Sequence, residues 1–161
     1  MAAMPARDET HPASPDTEPP DKLVIPNRLD EVGRATKWLH AFADRLDLPQ
    51  EMRYRLDTGL NEAVTNVVSY AFADGAEHLV RLGLSAEGGA VRLDVEDDGI
   101  PFDPLRTEDR QLPTRIEDAP IGGLGIQLMR SMLDECRYRR EGGRNHLTLI
   151  ARPRGRADRA A

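Results

Sequence analysis

Residues 78–99 read HLVRLGLSAEGGAVRLDVEDDG, two alternating runs on either side of a pair of glycines. Val80, Leu82 and Leu84 alternate before Gly88-Gly89, and Val91, Leu93 and Val95 alternate after it, the pattern of a β-hairpin with one buried face. Successive strand side chains point to opposite faces, so continuing the odd-numbered series puts Asp97 on the core side and Arg92, Asp94, Glu96 and Asp98 on the other. An inward carboxylate is costly unless a donor meets it. An adenine amino group is a suitable donor, and Gly99 removes the side chain that would block a flat ligand. The other reading of the same residues ends the strand at Glu96 and makes Asp97-Asp98-Gly99 a solvated turn.

Working outward, Leu23–Pro26 reads as a short first strand ended by proline. Val32, Ala35, Leu39, Phe42 and Leu46 recur at helical spacing, and a second helix of about 22 residues opens after Pro49 with the stripe Met52, Leu56, Leu60, Ala63, Val64, Val67 and Ala71. From Pro101 to Pro120 periodicity vanishes; so long a loop in a compact domain is usually a functional lid or disordered. Helix resumes at Leu124, with Leu128, Met129, Met132 and Leu133 on one face, and a second hairpin around Gly142-Gly143 closes the chain. Strand, two helices, hairpin, loop, helix, hairpin is not an alternating βαβ order. It predicts an α+β, two-layer sandwich: a mixed sheet of about five strands with three helices on one face.

The 161 residues, 39% hydrophobic and 31% charged, suit one domain. The proline-rich residues 1–21 predict a disordered tail, 22–152 the folded domain, and the arginine-rich residues 153–161 a frayed end. A net charge of −6 argues against nucleic-acid binding, and the absence of a long apolar run argues against a membrane span, so a cytoplasmic protein is expected. The single cysteine, Cys136, forms no internal disulfide, and the four histidines lack metal-ligand spacing.

Two further stretches carry chemistry. IGGLGI, residues 121–126, places three glycines where a helix begins, although each costs about 1 kcal/mol relative to alanine inside one. Glycines there let backbone N–H groups and the helix dipole approach an anion; a plain hinge between loop and helix explains them as well. The pattern matches neither the dinucleotide fingerprint nor the P-loop. In NEAVTN, Glu62 and Asn66 lie one helical turn apart beside the apolar stripe. They suit magnesium chemistry, the amide as a hard ligand and the carboxylate as a base, or form a hydrogen-bonded surface pair.

E-x-x-x-N on a helix, D-x-G after a strand, a proline-rich loop and G-x-G-I opening a helix, taken in this order, resemble the GHKL ATP-binding family. Within it they resemble the small anti-sigma-factor serine/threonine kinases, over about residues 22–151. The resemblance implies the Bergerat ATP-binding fold. It implies Glu62 as general base and Asn66 as the Mg²⁺ ligand beside the phosphates. It implies Asp97 as acceptor for the adenine amino group, Gly99 as clearance for the base, and Gly123, Leu124, Gly125 and Ile126 as the phosphate-cradling turn under a lid of residues 103–121. Thr148 would add a hydroxyl near the adenine. Pro101 stands where a second glycine is common, and Tyr70, where relatives often carry histidine, has no assigned role. Arg106, Arg110 and Arg115 are candidates for the γ-phosphate. The implied activity is ATP-dependent phosphorylation of a STAS-domain anti-sigma-factor antagonist, with a sigma factor as second partner and a homodimer as the assembly. The alternative is a nucleotide-gated binding module that transfers no phosphate.

Overall fold

The computed structural model describes residues 21–106 and 123–155. Its elements are β1 (Asp21–Pro26), α1 (Val32–Arg45), α2 (Gln50–Tyr70), β2 (Leu79–Glu87), β3 (Ala90–Asp97), α3 (Gly123–Met132), β4 (Glu135–Glu141) and β5 (Arg144–Ala151), with single 3-10 turns at Leu29–Glu31 and Pro104–Arg106. The strands form one sheet in the order β1-β2-β3-β5-β4. Asp21, assigned from the sequence to the tail, is the first residue of β1, opposite Leu84. The remainder of both predicted tails, apart from residues 153–155, lies outside the described residues, as does most of the predicted lid.

Every pair of neighbouring strands is antiparallel, so the mixed sheet expected from the sequence is corrected. The reason lies in the connections. Two helices separate β1 from β2, so the chain reverses an odd number of times and β2 returns antiparallel to β1. One helix separates β3 from β4, which gives them a common direction, but β5 lies between them. Both hairpins turn through paired glycines in the left-handed region, Gly88-Gly89 at φ 57° and 80° and Gly142-Gly143 at 59° and 75°. Only glycine adopts two such conformations in succession without strain.

Odd-numbered residues of β1, β3 and β5, even-numbered residues of β2 and one stripe from each helix bury into a single core. Ile25, Leu39, Phe42, Leu56, Leu60, Val80, Leu93 and Leu149 are its most enclosed members. The predicted stripe of α2 is buried at Met52, Leu56, Leu60, Ala63 and Val64. On α3 the buried face is Ile126, Met129 and Leu133, and Leu128, expected on it, is exposed. No helix among the described residues is long and apolar enough to cross a membrane.

Two charged residues are buried among those described, Asp97 at the end of β3 and Arg55 on α2. Arg55, on the core side of α2 and 2% exposed, donates from Nη1 to Asp134 Oδ2 at 2.8 Å and from Nη2 to the Arg152 carbonyl at 2.6 Å. It therefore fastens α2 to the α3–β4 turn and to the end of β5. Burial alone would raise the Asp134 carboxyl, but the Arg152 N–H and the Arg55 guanidinium together hold it below its ordinary range. A carboxyl depressed in the folded state stabilises fully above its unfolded value, about 3.9, and loses that contribution as the pH falls through its folded value. Arg55→Ala is expected to cost about 3 kcal/mol at pH 7 and to flatten the loss of stability between pH 5 and 2, both read from urea unfolding midpoints.

Candidate active site

Between the C-terminal half of α2 and the inner face of β3 and β5 lies a cavity that opens to solvent, with about 530 Å³ of empty space counting its open mouth. Its walls are mostly apolar, with Ala63, Val67, Val95 and Leu147 toward the core and Tyr70, Ile100 and Phe102 toward the mouth. Asn66, Asp97 and Asn145 are its amide and carboxylate groups. An apolar slot with a few convergent polar groups is the ordinary form of a small-molecule site.

Asp97 ends β3 and is 3% exposed, so the inward reading of the alternation holds and the solvated turn does not. Its Oδ1 accepts from the Gly99 N–H at 2.9 Å and from Asn145 Nδ2 at 2.9 Å. No donor among the described residues reaches Oδ2. A buried carboxylate with one satisfied and one open oxygen is built to receive a ligand donor.

Gly99 also has a packing role that its own stretch of sequence does not show. A Cβ there would stand 2.5 Å from the Ala71 carbonyl oxygen and 2.6 Å from the Ala71 Cβ. The glycine lets the chain leaving β3 press against the end of α2, where the Ile100 N–H bonds the Ala71 carbonyl at 2.9 Å.

Thr148 is placed away from the cavity. It pairs with Asp94 across β3 and β5, and its hydroxyl donates to Asp94 Oδ1 at 2.5 Å on the opposite face of the sheet. The residue opposite Asp97 is Asn145. Its Nδ2 also donates to the Ile100 carbonyl at 2.9 Å, and its Oδ1 accepts from the Tyr138 hydroxyl at 2.7 Å and from Arg140 Nη1 at 2.9 Å. Arg140 donates to the Gly99 carbonyl as well, at 3.0 Å. Asn145, Tyr138 and Arg140 thus brace the carboxylate, and sequence reasoning missed all three. The signal was present: Leu147, Leu149 and Ala151 alternate inward, and the same series reaches Asn145 and skips Thr148.

Glu62 and Asn66 are half-buried, and neither side chain makes a hydrogen bond among the described residues, so the hydrogen-bonded surface pair is not what forms. Asn66 faces the cavity. The Glu62 carboxylate instead lies against Gly125 in the first turns of α3. Gly123 opens that helix with Leu124 behind it, and the Ile126 side chain is buried in the core. The residues present fit Mg²⁺ as a partial site. Among the described residues no group of three or more His, Cys, Asp or Glu could hold a metal, so the unbonded Asn66 amide would contribute one oxygen, with phosphates and water supplying the rest. Arg106 pairs with Asp103 at 3.5 Å, while Arg110 and Arg115 lie outside the described residues.

Residues 25–151 match the family model described as a histidine kinase-like ATPase domain. The serine/threonine-protein kinase BtrW of Bordetella bronchiseptica is 35% identical over 117 residues, which cover 73% of this chain and 82% of that protein. The anti-sigma F factor of Clostridium novyi is 29% identical over 60% of this chain and 68% of its own length. The serine-protein kinase RsbW of Oceanobacillus iheyensis is 24% identical over 76% and 80%. Among solved structures, the RsbU and RsbW domains of a Mycobacterium tuberculosis protein superpose with a TM-score of 0.61 at 16% identity, over 84% of this chain and 32% of that one, a likeness of fold.

Proposed function

Because the chain belongs to the family of histidine kinase-like ATPase domains, we propose that it is an ATP-dependent serine/threonine-protein kinase with an anti-sigma role, whose substrate is a STAS-domain anti-sigma-factor antagonist. The observation that carries the nucleotide reading is the open oxygen of buried Asp97 in an apolar slot, on the same cavity as the unbonded Asn66.

In this reading the slot between α2 and β3 takes the adenine, and Asp97 Oδ2 accepts from its amino group. The polyphosphate runs along α2 toward the start of α3, where the backbone N–H groups of Gly123 and Gly125 face it. Bound Mg²⁺ supplies charge neutralisation on the phosphates, with the Asn66 amide oxygen as its protein ligand. The Glu62 carboxylate takes the proton from a serine or threonine hydroxyl as that oxygen bonds the γ-phosphorus and the bond to the ADP oxygen breaks. A sigma factor as second partner and a homodimeric assembly complete the proposal, by analogy with the relatives named anti-sigma F factor and RsbW.

Intact-mass spectrometry tests it. A STAS-domain protein from the same genome, incubated with this chain and Mg·ATP, is expected to gain one phosphate. Tight Mg·ATP binding with no phosphate on any such protein would replace the kinase by a nucleotide-gated binding module.

A further inference from the structure

Glu62 and Gly125 stand on different helices, and the fold brings them together more closely than any side chain at position 125 would allow. A Cβ built on Gly125 falls 1.8 Å from Glu62 Oε2 and 2.8 Å from Glu62 Cδ. The carboxylate has no hydrogen bond among the described residues, so no hydrogen bond fixes it where it lies against the bare Cα of α3.

We infer that Gly125 is a positioning residue for Glu62: its missing side chain is the space the carboxylate occupies when it faces the site. The inference rests on the kinase reading for its consequence, though not for the contact itself. It gives the glycine a role separate from presenting its N–H to a phosphate, since alanine would keep that N–H and remove only the space.

The physical argument also says what an added methyl would do. A real Cβ does not come within 3.0 Å of another heavy atom, so the Glu62 oxygen must retreat by more than an ångström. The obstacle is the far end of a flexible side chain, which moves at little cost, while alanine in a helix is favoured over glycine by about 1 kcal/mol. Gly125→Ala therefore folds at least as well as the native chain, and the strain is relieved by displacing the carboxylate. A misplacement of that size at a reacting group costs on the order of 100-fold in rate.

The test compares Gly125→Ala, Glu62→Asp and the double variant in single-turnover transfer at saturating Mg·ATP, onto the STAS-domain protein that the native chain phosphorylates, with Mg·ATP affinity measured alongside. Gly125→Ala is expected to lower transfer about 100-fold and leave the affinity within about twofold. Glu62→Asp is slower by itself, but its shorter arm leaves room for a methyl, so adding Gly125→Ala to it should cost less than about threefold further. Equal losses in both backgrounds, or weakened ATP binding with unchanged turnover, would overturn the inference. If the native chain transfers no phosphate at all, the kinase reading fails, and carboxyl-carbon NMR of glutamate-labelled protein decides the contact instead. The Glu62 resonance, identified by its absence in Glu62→Asp, should move in Gly125→Ala; a resonance that stays in place rejects the positioning role.

Discussion

With Glu62 as the proposed general base, Glu62→Gln is expected to lower phosphoryl transfer by about 10²–10⁴-fold and to leave Mg·ATP binding intact. The amide matches the carboxylate in shape, so it fits the same space beside Gly125, and no hydrogen bond is lost because Glu62 makes none among the described residues. What disappears is the ability to take a proton. Single-turnover transfer by the variant against calorimetric Mg·ATP binding separates the two. A normal transfer rate would remove Glu62 from the chemistry, and equal losses of rate and affinity would make it a binding residue.

The second large effect is expected at Asp97. The Gly99 N–H and Asn145 Nδ2 both point at Oδ1, so in Asp97→Asn the new amide must turn its oxygen to them and its NH₂ toward the cavity. The fold is spared, because both internal donors keep their acceptor. An adenine amino group then meets a donor instead of a charged acceptor, a loss of about 1.5–3 kcal/mol or roughly 10- to 100-fold in ATP affinity. GTP, which carries an oxygen at the same ring position, should gain relative to ATP. Calorimetry with both nucleotides checks it; an unchanged ratio would mean that Asp97 does not read the base.

Much of this was legible where a local period is the physical cause. The alternation from Val91 to Val95 located Asp97 because a strand buried on one face admits only one register. The same rule applied to Leu147, Leu149 and Ala151 reaches Asn145, whereas the choice of Thr148 came from resemblance and not from the strand. What stayed hidden depends on contacts between distant segments. Nothing near Gly99 in sequence reveals that Ala71 presses on it, and nothing near Gly125 announces Glu62. The strand directions follow from counting helices between strands, which the order of elements already contained. Arg55 is intermediate: it falls between Met52 and Gly59 on the inward face of α2, yet its hydrogen-bond partners, Met132, Asp134 and Arg152, come from the far end of the chain.

The hydrogen bond from the Ile100 N–H to the Ala71 carbonyl joins the segment leaving Asp97 to the end of the helix that carries Glu62. At roughly 1.5 Å per residue, the helix from Glu62 to Ala71 is about 14 Å long. In the proposed reading, this half of α2 is a ruler: the adenine is held at its C-terminal end beside Asp97, and Glu62 stands mid-helix, about 14 Å away. On that reading ADP, one phosphate shorter, would fill the slot and still bring no phosphorus to the hydroxyl that Glu62 activates.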